Sequence, residues 1–131
     1  MGGHTLSAIL EGGADKLHGA SLIISPQTEH PLVRHALYHH LQYHLEREQI
    51  VRAAGRYYIM MLAQPGERSL SEKEAFLGPC LMNCATEEYL SYIKWRCDVV
   101  SREQHSLSAL HLSWLKEEYE RVRKTLDRCG R

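Results

Sequence analysis

The stretch that most limits what this chain can become runs from Pro31 to Ala63, PLVRHALYHHLQYHLEREQIVRAAGRYYIMMLA. It holds no proline after its first residue, and Pro31 suits the first turn of a helix, where a missing N–H costs nothing. At about 100° per residue, Val33, Leu37, Leu41, Val51, Tyr58 and Leu62 fall on one side of such a helix. His40 and His44 lie in the middle of that same apolar side. The pattern predicts one long helix over about 31–63, with Gly55 as its weak point at a cost of about 1 kcal/mol relative to alanine. Glu48 and Arg52, four apart, would pair on its surface.

The rest is read around that element. Gly2, Gly3, Gly12, Gly13 and Gly19 interrupt each short apolar group before it, so residues 1–28 read as an irregular arm. Pro65-Gly66 is a turn. Ser71 and Glu74 match a capping box, and Gly78-Pro79 closes that short helix within about two turns. A second short helical piece spans 79–85. Thr86 caps a helix carrying Leu90, Ile93, Cys97 and Val100, and Leu112, Leu115, Tyr119, Val122, Leu126 and Cys129 mark the seam of a last one. The fold expected is all-α: a single helical domain over 29–131, a small bundle of one long central helix, two short helices and two C-terminal helices.

Charge and composition narrow the function. Sixteen basic residues balance sixteen acidic ones, so no global field draws the chain to nucleic acid or an anionic membrane. Nucleic acid is therefore not an expected partner. The longest apolar run, Tyr57 to Ala63, is far below the roughly 18 to 20 residues that cross a bilayer. No signal peptide pattern precedes the four cysteines and none form a CxxC pair, which predicts reduced thiols and a cytoplasmic protein. Kinase, P-loop, GxSxG, HExxH, EF-hand and dinucleotide fingerprints are absent, and no enzyme is expected.

The candidate sites follow from spacing. His40 and His44 would share a helix face, as would Cys80 and Cys84 on another, and two such pairs facing each other form a His2Cys2 set suited to zinc. His35 and His39 make a further pair on the opposite face. Gly2-Gly3-His4 would suit square-planar copper or nickel if Met1 were removed, although an unstructured end is the commoner reading. Tyr57, Tyr58, Met60 and Met61, together with Leu112, Leu115, Tyr119, Val122 and Leu126, exceed what one bundle face needs and read as an interface. The expectation is a non-enzymatic regulatory or adaptor protein acting through a protein partner or as a homodimer. A zinc-binding helical protein and a DNA-binding regulator using the last two helices are the alternatives.

Overall fold

The computed structural model describes residues 20–26, 28, 30–103 and 106–129. Within them the chain mixes strands and helices, which overturns the all-α expectation. It forms two compact units that divide between Cys80 and Leu81. The expected arm lies mostly outside the described residues, and Gly2-Gly3-His4 entirely so.

The first unit runs β1 (Leu22–Ile24), α1 (His30–His35, continued by a π-helical turn, Ala36–His40), β2 (Tyr43–Ala53), β3 (Arg56–Pro65) and α2 (Glu72–Leu77). The long helix is the main correction. Helical structure stops at His40, and Gln42 takes a left-handed φ of 56° before the chain extends. Ile50, Val51, Tyr57, Tyr58 and Ile59 are β-branched or aromatic and favour a pleated, half-buried surface. Ala54 and Gly55, with φ of 52° and 74°, make a two-residue turn with both central residues left-handed, the kind whose twist matches a hairpin. Gly55 is therefore the turn of a β-hairpin and not a flaw in a helix.

β2 and β3 pair antiparallel from Tyr43↔Pro65 to Ala53↔Arg56, and β1 pairs with β3 from Leu22↔Ala63 to Ile24↔Met61. The order β1-β3-β2 leaves β1 and β2 pointing the same way on either side of β3. A bulge between Leu45 and Arg47 inserts Glu46 as an extra residue. Tyr43 and Leu45 are buried before it, Glu48 and Ile50 after it. The core of this unit holds these with Ile59, Met61 and Ala63 of β3, Val33, Ala36 and Leu37 of α1, and Ala75 and Leu77 of α2. Each large aliphatic side chain so buried contributes about 1.5–3 kcal/mol. The other sheet face presents Ile23, Tyr58, Met60 and Leu62, with Ile23 74% exposed. The Ser71–Glu74 capping box is present in both directions, and Gly78 closes α2 at a φ of 106°.

The second unit holds a 3-10 turn (Leu81–Asn83), α3 (Glu87–Ser101) and α4 (Ser108–Cys129). Thr86 accepts the Tyr89 N–H and starts α3. The two long helices pack on each other and bury Tyr89, Ile93 and Val100 against Leu115, Glu118 and Val122. Among the described residues no helix is long and apolar enough to cross a membrane.

Candidate functional site

The residues expected to gather around a metal have different local settings. His40 is exposed at the end of the π turn, where it no longer shares a helix with His44. His44 is buried in β2; its Nδ1 lies 3.2 Å from the Gly66 carbonyl oxygen, while Nε2 has no hydrogen-bond partner among the described residues and stands 3.8 Å from Glu46 Oε1. The Cys80 thiol donates to the Leu45 carbonyl at 3.3 Å. Cys84 belongs to the second unit, where its carbonyl accepts from Arg121 Nη2 at 2.8 Å. Among the described residues no three His, Cys, Asp or Glu side chains converge to hold a metal ion. His35 and His39, one turn apart, stack at 5.3 Å between ring centroids.

A buried ion pair fixes the first unit instead. Arg34, 1% exposed, donates from Nε to Glu48 Oε2 at 2.9 Å and from Nη1 to the Ala75 carbonyl at 2.8 Å, with Nη2 2.8 Å from the same carboxylate oxygen. The other oxygen of Glu48 accepts the Cys80 N–H at 2.9 Å. The pair thus joins α1, β2, the end of α2 and the segment that leaves it. Nearby, the Tyr38 hydroxyl accepts the Leu45 N–H at 2.9 Å, and burial pushes its phenol above the usual range. The sequence reading missed this pair because Glu48 looked like a surface partner for Arg52, and nothing local marks Arg34 and Glu48 as neighbours.

In the second unit Tyr89 donates to Glu118 Oε2 at 2.5 Å, and Arg121 donates to Glu118 Oε1 at 2.6 Å. That hydrogen bond, ahead of the opposing effect of burial, raises the Arg121 guanidinium above its usual value. A groove of about 340 Å³ along α3 and α4 is lined by Lys94, Cys97, Asp98, Lys116, Tyr119 and Glu120. Burial pushes the Cys97 thiol up, so it is not an activated nucleophile. Of the residues expected at an interface, Met61, Leu115 and Val122 are core. Tyr57, Tyr58, Leu112, Tyr119 and Leu126 are half-buried, and Met60 is 43% exposed.

This arrangement is found in solved methyltransferase structures. Streptococcus pneumoniae Sp1610, solved in complex with S-adenosyl-L-methionine, superposes with a TM-score of 0.80 at 24% identity, over 91% of this chain and 56% of that one. The B. subtilis m1A22 tRNA methyltransferase TrmK matches at 0.68 and 24% identity, over 95% and 59%. A Streptococcus agalactiae protein of the NADB-Rossmann superfamily matches at 0.71 and 20%, over 96% and 56%. The chain therefore has a Rossmann-like methyltransferase fold and spans a little over half the length of these relatives. Residues 1–129 match the family model TrmK, tRNA (adenine(22)-N(1))-methyltransferase, and the chain belongs to that family. No curated protein sequence matches the chain.

Membership overturns the expectation of a non-enzymatic adaptor, and with it the zinc-protein and DNA-regulator alternatives, because the family is defined by an enzyme acting on tRNA. It also overturns the expectation that nucleic acid is not a partner. A net charge summed over the whole chain averages out local groups. In Rossmann-like sheets ligands gather outside the carboxyl ends of the strands. At that end of β1 lies the buried Pro26, whose carbonyl is 3.0 Å from His30 Nε2, and at that end of β2 lies the hairpin tip.

Proposed function

We propose that this chain serves in the cytoplasm as part of an enzyme that methylates N1 of adenine 22 in tRNA, with S-adenosyl-L-methionine as methyl donor. The observation that carries this reading is the family match over residues 1–129. The fold shared with a relative solved with that cofactor adds support.

Adenine N1 lies on the Watson–Crick edge, so the base must be unpaired or turned out of its stack before it can be methylated. The protein must then hold the RNA backbone and an unstacked base together. The groove on α3 and α4 sets Lys94 and Lys116 beside Asp98 and Glu120, a charge-balanced lining that does not single out the sulfonium of the methyl donor.

The test is incubation of the protein with labelled S-adenosyl-L-methionine and tRNA transcripts carrying adenine or guanine at position 22. Label entering only the adenine transcript supports the reading. Binding of tRNA without incorporation would reduce it to a tRNA-binding role, and neither binding nor incorporation would overturn it.

A further inference from the structure

The β2–β3 hairpin ends in a cationic, partly aromatic tip. Arg52 and Arg56 are exposed there, and the Arg52 guanidinium lies over the Tyr57 ring at 5.3 Å from its centroid. No Asp or Glu occurs from Gln49 to Gly66, and neither arginine has a carboxylate partner among the described residues. Two arginines of α4 differ: Arg121 is held by Glu118, and Arg123 by Glu120 and Asp127. A guanidinium already paired with a carboxylate must give up that pair before it can bind a phosphate. Among the described residues the hairpin arginines have no such pair to break.

Topology places this tip where a ligand is expected. β2 runs parallel to β1, so its last residues lie at the carboxyl end of the sheet. Ile24, the last residue of β1, pairs with Met61, and Tyr57 lies four residues earlier in β3, toward the hairpin turn. At about 3.3 Å per residue the tip therefore projects about 13 Å beyond the end of β1. An arginine over an aromatic ring is also a ready stacking surface for an unpaired base.

Resting on the tRNA reading above, we infer that the hairpin tip is an RNA-binding element. Arg52 and Arg56 contact backbone phosphates, and the Arg52–Tyr57 pair offers a stacking face to an unpaired base. Fluorescence anisotropy with a labelled tRNA transcript over a salt series tests this. The variants are R52E/R56E, the milder R52Q/R56Q in case charge reversal disturbs folding, and R68E, which removes an exposed arginine outside the hairpin.

Expected results are a Kd at least 10-fold weaker for the charge-reversal pair, about 3-fold or more for the glutamine pair, and less than 2-fold for R68E. The slope of log K against log salt should also become shallower by about 1 to 2, as for the loss of one or two phosphate contacts. Unchanged affinity and slope in folded hairpin variants, with tight binding by the parent, would overturn the assignment alone. An equal loss from R68E would overturn it as well. Absence of tRNA binding by the parent would overturn the tRNA reading itself and this assignment with it.

Discussion

Arg34 and Glu48 meet at 2.8 Å inside the first unit, with side chains 1% and 0% exposed. Removing one member of a buried pair leaves an uncompensated charge and costs about 3–5 kcal/mol. Glu48→Leu should therefore lower the unfolding free energy measured in urea by that amount or prevent folding, since it also strands the Cys80 N–H. Arg34→Met/Glu48→Leu should be markedly less damaging than the sum of the two single changes. A Glu48→Leu cost under about 1 kcal/mol would show that the pair does not hold the unit together.

Gly66 is tied to His44 through space. Its φ is 142°, and an added Cβ would lie 3.0 Å from two atoms of the His44 ring. Gly66→Ala is expected to cost about 1–3 kcal/mol from the backbone conformation, with the ring contact adding to it. His44→Ala in the Gly66→Ala background should recover the contact part only. Thermal denaturation of the four members of this cycle measures the split, and a zero coupling would remove the steric account.

Tyr38 gives the fold an alkaline sensitivity. Burial holds its phenol above the usual value of 10.0, so the folded state keeps that proton more tightly than the unfolded chain does. The resulting stability is complete below about pH 10 and is lost as pH rises through the folded pKa. Unfolding free energies between pH 9 and 11 should fall more steeply for the parent than for Tyr38→Phe. At neutral pH that variant should cost about 1–3 kcal/mol, because the buried Leu45 N–H loses its acceptor. Parallel pH profiles would contradict this.

Tyr89 and Glu118 lock α3 to α4. Tyr89→Phe removes a hydrogen bond to a carboxylate from a residue 1% exposed, an expected loss of about 1.5–3 kcal/mol. In a cycle with Glu118→Gln the two changes should couple by about 0.5–3 kcal/mol. Strict additivity would mean that Glu118 is held by Arg121 alone.

What could be read from the sequence was what is decided within a few residues. The Ser71–Glu74 box, the Thr86 cap, the Gly78 stop and the apolar spacing of the last two helices depend on contacts one turn apart, and all appear in the structure. The hairpin was hidden for a physical reason. Its inward set shifts from Tyr43 and Leu45 to Glu48 and Ile50 across the bulge, and one member is a buried acid, so the strand's twofold alternation is broken. A helical period fitted the remainder by default, although Ile50-Val51 and Tyr57-Tyr58-Ile59 on either side of Ala54-Gly55 carried the hairpin signal. The candidate metal set inherited that error, because a spacing of four brings side chains together only on a helix. The Arg34–Glu48 pair rests on a contact between distant residues that no local pattern reports.

The bulge at Glu46 has one more consequence, for comparison with relatives. Without residue 46, the run Tyr43, Leu45, Glu48, Ile50 would alternate without interruption and keep the same side chains inward. Loss of a residue from 47 to 49 would instead leave the second half of the strand in the wrong phase wherever the bulge is kept. Position 46 is thus where this strand can lengthen or shorten by one between species. An alignment gap in β2 belongs opposite Glu46, and one placed elsewhere would match core side chains to surface ones.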